Sequence, residues 1–296
     1  MKIVQSYWSK PTLKKDSFKT SDRNKGGWVD KRFNYMSWAL SCLQFKKFYS
    51  KVELVTDQAG YDLLINKLDL PYTHVDVCLD RLNIYHSDLW ALGKIYAYSI
   101  QKEPFIHADG DIYIYHKFKP ESENADLFVQ NIEDGFSYYD NIFKQIRETF
   151  QYIPPELLES IEKNKKIISV NAGLLGGNDI AFFNCYTKEV FNFVDQNLAK
   201  IDKIDKGMFN TIFEQFLFMA LAEKRDKKVS YQLKEVNHAF DGLADFTGLP
   251  NRTKYIHTVG IYKKINYIGN LLEHRLMMDY PDYYFKILNL LKTNQI

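Results

Sequence analysis

Apolar residues along the chain fall into two kinds of pattern, short runs that end in polar residues and longer stripes at helical spacing. Short strands are predicted at residues 2–7, 52–55 and 75–79, and helical stripes lie between them at residues 35–45 and 61–68. Strands and helices that alternate with short connections are typical of a parallel sheet with right-handed crossovers. The pattern therefore predicts an α/β fold with a Rossmann-like, mostly parallel central sheet flanked by helices.

The same alternation continues with longer helices and less regular strands. Ser87 or Asp88 is expected to cap the helix that precedes the apolar strand ending at Ala108. Further strands are predicted at residues 126–130, 167–177 (broken by small residues) and 231–236. Further helices are predicted over residues 133–165, 179–200, 206–224 and 266–291.

The chain shows no internal repeat or linker, which favours one domain over residues 1–296. That domain would carry a helical elaboration at about 133–165 and a helical tail at about 266–296. A polar, basic loop is predicted over residues 9–30.

A carboxylate–glycine–carboxylate triplet, Asp109-Gly110-Asp111, follows the buried strand that ends at Ala108. Ligands of open α/β sheets bind outside the carboxyl ends of the strands, where this triplet is expected to lie. Two carboxylates one residue apart can hold a single Mg²⁺ or Mn²⁺ ion, because both cations prefer hard oxygen ligands. The alternative is a turn in which both aspartates cap backbone groups and Gly110 supplies an unusual dihedral angle.

A second candidate group lies near the C-terminus, where His257, Gly260 and Lys263 are spaced three residues apart. An imidazole is a plausible further metal ligand and favours Mn²⁺. Gly260 would permit a close approach of the backbone to a phosphate, and Lys263 could neutralise a departing diphosphate. The alternative for His257 is a hydrogen-bonded structural histidine.

The two groups together resemble the motifs of retaining glycosyltransferases of the glycogenin and bacterial lipopolysaccharide galactosyltransferase type. The resemblance implies the GT-A fold, a UDP-sugar donor and Mn²⁺ (or Mg²⁺). It assigns the metal to Asp109, Asp111 and His257. It also implies donor contacts at the following positions: Ala108, Gly110, Gly260 and Lys263.

Weaker matches to the same family follow in the same order along the chain. Lys94 corresponds to a basic donor contact, Asn171-Ala172-Gly173 to a strand lining the donor sugar, and Glu214-Gln215 to a pair under the reacting sugar. The polar residue that ends the strand after the triplet would be Gln130 or Asn131. The resemblance thus implies catalytic roles for Asn171, Gln215 and Lys263, and donor binding by Lys94 and Gly173.

Two departures and one alternative accompany this resemblance. Lys264-Ile265 follows the lysine motif, where the family has Pro-Trp. Gln5, Ser6 and Tyr7 occupy the expected nucleotide-binding positions of the first strand, where the family has acidic contacts. Glu214-Gln215 could also be a solvated pair on a helix whose other face is core.

Composition excludes some functions and favours a compartment. A net charge of +2 over 296 residues provides no general attraction for nucleic acid or acidic lipid. Three scattered cysteines, Cys42, Cys78 and Cys185, are typical of small buried residues in a reducing compartment. The N-terminus has no apolar leader and no segment reaches ~18 apolar residues, so a cytoplasmic protein without a transmembrane segment is expected.

The resemblance implies a metal-dependent glycosyltransferase of hexosyltransferase type that moves a sugar from a nucleotide-diphospho-sugar to an acceptor hydroxyl, with retention. The acceptor would be a glycan or a glycolipid. One alternative is a catalytically silent nucleotide-sugar-binding protein with the same fold. A phosphotransferase or nucleotidyltransferase is the other, although a phosphotransferase of the haloacid dehalogenase type carries its Asp-x-Asp on the first strand.

Overall fold

Short strands alternate with helices throughout residues 1–13 and 25–296, which the computed structural model describes. The loop expected over residues 9–30 lies partly outside this range. The strands are β1 (Lys2–Tyr7), β2 (Val52–Thr56), β3 (His74–Val77), β4 (Phe105–Ala108), β5 (Ile112–Ile114), β6 (Leu127–Asp134), β7 (Ile168–Gly177), β8 (Val229–Tyr231) and β9 (Tyr255–His257). Seven of them form a mostly parallel central sheet flanked by helices, which confirms the predicted α/β class.

The helices of the described residues fall between these strands and at the C-terminus. They are α1 (Lys10–Leu13), α2 (Lys31–Phe48), α3 (Gln58–Tyr61), α4 (Leu92–Ser99), α5 (Pro120–Glu123), α6 (Ser137–Thr149), α7 (Pro155–Asn164), α8 (Ile180–Asp195), α9 (Lys206–Asn210), α10 (Leu217–Lys224), α11 (Gly260–Lys263), α12 (Asn266–Asp279) and α13 (Pro281–Lys292). Within the described ranges, Asp62–Lys67 and Thr211–Phe216 are π-helical, and Leu79–Ile84, Leu198–Lys203 and Phe246–Gly248 are 3₁₀-helical.

The chain divides into two compact units, each made of separate stretches of sequence. The first unit contains Met1–Ser87, Ala108–Lys117 and Ala239–Ile296, and the second contains Asp88–His107 and Phe118–His238. Each unit therefore forms only when segments far apart in the sequence come together.

The first unit combines a parallel sheet with a separate antiparallel strand pair. Strand β2 pairs in parallel with β1 and with β3, so these strands share one direction. Strand β5 pairs with β9 in antiparallel register. Apolar side chains of α2, α12 and α13 form one buried core with residues of β2, β5 and β9.

The helical tail predicted for the C-terminus completes this core. It consists of α12 and α13, and the break between them falls at Pro281, as the sequence predicts. Leu272 and Leu276 are fully buried in the core that contains Phe33 of α2. A Cβ atom at Gly269 would lie 2.5 Å from the Phe33 ring, so the two helices approach closely at a residue without a side chain.

The second unit is built around the long strand β7. It pairs in antiparallel register with β6, and β6 pairs in parallel with β8 on its other side. The expectation that small residues break β7 is wrong, since the strand is continuous from Ile168 to Gly177. Gly176 instead allows a close neighbour, because a Cβ atom there would lie 2.2 Å from the carbonyl oxygen of Phe105.

The predicted strand at 126–130 is too short. Strand β6 continues to Asp134 and pairs through Glu133 with Ser169 of β7. Polar residues can extend a buried strand here because Gln130 and Asn131 hydrogen-bond each other and Glu133 also has protein partners. The helical elaboration expected from residue 133 therefore begins only at Ser137.

The predicted helix cap at Ser87 or Asp88 is also wrong. Helix α4 begins at Leu92 with Ala91 at its N-cap, and no side chain of the cap itself forms a capping bond. The Asn210 side chain accepts a hydrogen bond of 2.9 Å from the Ala91 backbone N–H, so a distant residue satisfies a free donor of the helix end.

Other element boundaries differ by a few residues. The strand expected to reach Leu79 ends at Val77, and Leu79 opens a 3₁₀ turn. The strand predicted at 231–236 lies at Val229–Tyr231. The helix predicted over 206–224 is interrupted by the π-helical segment Thr211–Phe216, and the one predicted to reach residue 200 ends at Asp195.

Cys42 is buried as expected, whereas Cys78 and Cys185 are half-buried, and all three are free.

Candidate functional site

The triplet and the C-terminal histidine meet in the first unit. Asp109, Asp111 and His257 each offer a ligand atom, and these atoms all lie within 4.8 Å of one another. Asp111 and His257 are buried, whereas Asp109 is half-buried. Two carboxylates and an imidazole form a donor set that suits Mn²⁺ or another divalent cation, so the residues fit the metal that the sequence predicts.

The pairing of β5 with β9 brings these groups together. Ile112 lies opposite His257 in the antiparallel register, which places the histidine beside the end of the triplet. The backbone N–H of Thr258 donates a hydrogen bond of 3.1 Å to the Asp111 carbonyl oxygen, and the Thr258 hydroxyl donates a second of 3.2 Å. Side chains distant in sequence are thereby held in one register.

Side chains of helix α2 hold the backbone of the triplet in place. The Ser37 hydroxyl donates to the Gly110 carbonyl oxygen over 2.8 Å, and the Ser41 hydroxyl donates to that of Ile112 over 2.7 Å. The Trp38 ring lies so close to Gly110 that a Cβ atom would be 2.5 Å from it. Gly110 is therefore required for close packing rather than for an unusual dihedral angle.

Ser37, Trp38 and Ser41 were not predicted from the sequence as residues of the site. Ser37 and Ser41 are one helical turn apart and are buried on the core face of α2. Two hydroxyls at this spacing within an apolar stripe are the available signal, because buried polar groups need partners.

Lys263 forms an ion pair with the carboxylate cluster. Its ammonium group lies 2.7 Å from Asp111 Oδ2, while His257 Nε2 lies 3.6 Å from Asp111 Oδ1. The cluster also affects the half-buried Tyr255, whose pKa is raised well above its usual value, first by desolvation and then by the carboxylates of Asp111 and Asp109. Gly260 is exposed, and a Cβ atom there would have no neighbour within 4 Å.

The residues expected to bind the nucleotide on β1 are mostly buried within the protein. The Gln5 amide donates to the Ser41 hydroxyl over 2.9 Å and accepts from the Tyr72 hydroxyl over 2.8 Å. Gln5 Nε2 also lies 3.5 Å from the carbonyl oxygen of Ala108. Gln5 is thus a support of the triplet's backbone, and Ser6 is half-buried beside it on the strand.

Tyr7 packs its ring edge-on against Trp38, with ring centroids 5.1 Å apart. Burial raises the pKa of the Tyr7 hydroxyl to about 12, and its hydrogen bond with Thr12 opposes that shift. Tyr7 therefore takes part in the core beneath the triplet.

The remaining predicted residues lie in the second unit. The Lys94 ammonium group is buried, 2.6 Å from Glu214 Oε1 and 2.9 Å from the carbonyl oxygen of Ala172. Glu214 has no exposed surface, so the alternative of a solvated pair at Glu214-Gln215 is wrong for Glu214. Gln215 is half-buried and lies next to it on the π-helical segment.

Glu133 connects several of these residues. Its carboxylate accepts hydrogen bonds from the Asn171 amide (2.8 Å) and from the hydroxyls of Tyr138 (2.7 Å) and Tyr139 (2.6 Å). The Tyr139 hydroxyl also lies 2.6 Å from the side-chain oxygen of Gln215. Burial, followed by the Glu133 charge, raises the pKa of both tyrosines.

Asn171 and Gln215 thus belong to one hydrogen-bonded network, which we call the Glu133 network (Glu133, Tyr138, Tyr139, Asn171, Gln215). The Asn171 side-chain oxygen also accepts from the Gly173 N–H over 3.0 Å. Gln130 and Asn131, predicted as the polar end of the strand, hydrogen-bond each other instead. Glu133 was not predicted as a site residue because it lies beyond the predicted end of this strand.

The chain belongs to a family without an assigned activity. Residues 1–290 match the family described as Family of unknown function (DUF6734), and the chain is a member of it. No curated protein matches the sequence.

Solved structures of glycosyltransferases resemble this chain weakly. The galactosyltransferase LgtC in complex with donor and acceptor sugar analogs matches with a TM-score of 0.37 and 14% identity, covering 72% of this chain and 70% of that one. Mouse xyloside xylosyltransferase 1 gives a TM-score of 0.40 and 10% identity over 86% of this chain and 96% of that one. The glycosyltransferase GlyE of Streptococcus pneumoniae TIGR4 gives 0.44 and 11%, over 99% of this chain and 64% of that one.

None of the helices in residues 1–13 and 25–296 combines the length and the apolar character needed to cross a membrane.

Proposed function

We propose that this protein is a metal-dependent glycosyltransferase with a GT-A fold in a single catalytic domain. It would transfer a sugar from a nucleotide-diphospho-sugar, with UDP as the nucleotide, to a hydroxyl of a glycan or glycolipid acceptor, with retention. The three free cysteines support a reducing compartment such as the cytoplasm.

The observation that carries the proposal is the grouping of Asp109, Asp111 and His257 beside Lys263. The three ligands would hold Mn²⁺ or Mg²⁺, and the metal would supply Lewis-acid stabilisation of phosphate oxygens when bound. Lys263 would bind the diphosphate as a point charge. Gly260 supports the same role, because its missing side chain leaves open space next to the lysine turn.

Two residues of the second unit are also proposed to act in the transfer. Asn171 and Gln215 offer amide groups fixed by the Glu133 network, and such preorganised dipoles favour a transition state with developing charge. Gln215 would stabilise an oxocarbenium-like sugar through its side-chain oxygen. Lys94 forms an ion pair with Glu214. We therefore assign it a structural role in this segment, ahead of a direct contact with the donor.

The proposed reaction exchanges one carbon–oxygen bond for another. The bond between the sugar anomeric carbon and the diphosphate oxygen breaks, and a bond from that carbon to the acceptor oxygen forms on the same face. The acceptor hydroxyl gives its proton to the leaving diphosphate. The chain therefore need not supply a strong base, and its task is to position and neutralise the diphosphate.

A screen of nucleotide sugars by thermal shift, with and without Mn²⁺, tests the proposal first. We expect a UDP-sugar to raise the melting temperature only with Mn²⁺, and donor hydrolysis or transfer to depend on the metal. Asp111→Asn should reduce turnover by at least about 100-fold, because it removes a charged ligand of the metal. Glu121→Asn, an exposed change in α5, is the control.

Retained metal-dependent turnover in Asp111→Asn would contradict the metal assignment. Donor binding without hydrolysis or transfer by the wild-type protein would favour the alternative, a nucleotide-sugar-binding protein that does not catalyse transfer.

A further inference from the structure

Lys263 is placed to act as an internal cation of the carboxylate cluster. Its ammonium group contacts Asp111 Oδ2 at 2.7 Å, and the other oxygen of the same carboxylate faces His257 at 3.6 Å. The residue that the proposed function assigns to the diphosphate is thus bound to a residue that it assigns to the metal. Binding of the diphosphate and binding of the metal therefore cannot be independent of each other.

We propose that Lys263 makes the binding of the divalent cation and of the diphosphate cooperative. This inference rests on the proposed function of the site. A cation bound by Asp111 displaces the ammonium group from the carboxylate, and the diphosphate then accepts that ammonium group. The cation alone should bind weakly, because it must displace Lys263 without providing the lysine with a new anion.

Electrostatics determines the direction of this effect. An ammonium group within hydrogen-bonding distance of Asp111 repels a second cation at the same carboxylate, and partial burial strengthens that repulsion. The side chains of Lys263 and Asp111 expose only 19% and 10% of their surface, so solvent screens the pair poorly. Removal of the lysine charge should therefore tighten binding of the metal when the diphosphate is absent.

The position of the lysine backbone does not have to change. The Lys263 carbonyl oxygen accepts a hydrogen bond of 3.1 Å from the Val29 N–H, which fixes the residue on the first unit. Gly27, at φ +85°, leaves room for the lysine stem, whose Cδ would lie 3.3 Å from a Cβ atom there. The ammonium group is also 3.4 Å from the Gly26 carbonyl oxygen.

These contacts leave only the end of the side chain to turn. Gly26 and Gly27 both have positive φ, a conformation that a residue with a side chain rarely adopts. The backbone conformation beside Lys263 therefore depends on these two glycines. Rotation about the last bonds of Lys263 is enough to exchange Asp111 for another anion, which is a fast side-chain motion.

Thermodynamic reciprocity gives the inference a second consequence. If the metal releases Lys263 for the diphosphate, then it must raise the affinity for UDP by the same factor as UDP raises the affinity for the metal. Without the lysine, the part of this coupling that passes through the side chain is lost.

Calorimetric titration of Mn²⁺, and of UDP with and without Mn²⁺, tests the inference in the wild-type protein and two variants. Lys263→Met removes the internal cation and keeps the length of the stem. Lys264→Met is the matched control, because it removes the same charge from an exposed neighbouring residue. Circular dichroism and thermal unfolding verify that both variants are folded.

We expect Mn²⁺ alone to bind Lys263→Met about five- to tenfold more tightly than the wild type, in the range of typical coupling between sites. Binding to Lys264→Met should change less than about twofold, since an exposed charge is screened. The gain in UDP affinity on addition of Mn²⁺ should be smaller in Lys263→Met than in the wild type.

Two outcomes separate the inference from the proposed function. If Mn²⁺ binds Lys263→Met no more tightly than the wild type, the inference is overturned and the metal site stands. If Mn²⁺ binds none of the three proteins, the metal site of the proposed function fails, and the inference fails with it.

Discussion

At the residue scale, Glu133 shows how a buried carboxylate can organise uncharged groups. It is 1% exposed and receives hydrogen bonds from Tyr138, Tyr139 and Asn171. Three hydrogen bonds to one carboxylate fix the orientation of each donor. The residue therefore supports Gln215 through Tyr139 without any need to touch a substrate.

Glu133→Gln should both destabilise the protein and reduce transfer. The amide that replaces the carboxylate brings a donor group toward three existing donors, and an unsatisfied buried donor costs about 1–3 kcal/mol. Urea unfolding measures the stability, and donor turnover measures the effect on Gln215. The control is Glu121→Gln, an exposed position, and equal stability of the two variants would contradict the role of the network.

Tyr7 provides a pH-dependent prediction. Burial raises the pKa of its hydroxyl from 10.0 to about 12, so the folded protein keeps a proton that the unfolded chain releases above pH 10. Its contribution to stability is complete below pH 10 and is lost as the pH rises toward 12. The loss amounts to about 1 kcal/mol at pH 11.

Tyr7→Phe should therefore lose less stability than the wild type between pH 10 and pH 11, by about 1 kcal/mol in urea unfolding. Tyr267→Phe, at an exposed tyrosine, serves as the comparison and should follow the wild-type curve. A Tyr7→Phe curve that is parallel to the wild type over this range would contradict the prediction.

At the element scale, helix α2 is the platform for the triplet. Ser41 accepts a hydrogen bond from Gln5 and donates one to the Ile112 carbonyl oxygen, so strand β1, helix α2 and strand β5 share one polar contact. Ser37 repeats this role at Gly110, one helical turn earlier. The carboxylates are thereby attached to a rigid helix through the backbone that carries them.

Ser41→Ala should destabilise the protein by about 1–2 kcal/mol, because the Ile112 carbonyl and the Gln5 amide lose a buried partner. It should also weaken Mn²⁺ binding, since the triplet would no longer be held in one position. Unfolding and calorimetry measure the two effects. Ser50→Ala, beyond the end of α2 and exposed, should alter neither quantity.

The π-helical segment Thr211–Phe216 is another element with a specific role. One extra residue per turn shifts the side chains that follow relative to a regular helix, and such segments are frequent at functional sites. This segment carries Glu214, which pairs with Lys94, and Gln215, which faces Tyr139.

At the scale of the whole molecule, the sequence predicted the α/β class and the grouping of Asp109, Asp111 and His257. Alternating apolar runs indicate strands, and spaced ligand types indicate a group of candidate metal ligands, because both patterns follow from local chemistry. The contact between Lys263 and Asp111 could not be predicted, since the motif specifies residue types and not the conformation of a long side chain.

The remaining errors have a common physical origin in tertiary contacts. Asn210 satisfies the start of α4, and hydrogen bonds among buried polar residues extend β6 beyond residue 130. Both effects depend on partners far away in the sequence, which local propensity does not contain. The supporting residues Glu133, Ser37 and Ser41 were missed for the same reason.

The pairing of β5 with β9 has a consequence for how the protein is made. Thr258 donates a hydrogen bond to the carbonyl oxygen of Asp111, 147 residues earlier in the chain, so the two halves of the candidate ligand group are synthesised far apart in time. A ribosome adds about 5–20 residues per second, so the carboxylates would wait about 7–30 seconds for their partner strand. A nascent chain that stops before residue 255 would hold two adjacent carboxylates without His257 or Lys263, so the full group of candidate ligands forms only after β9 has emerged.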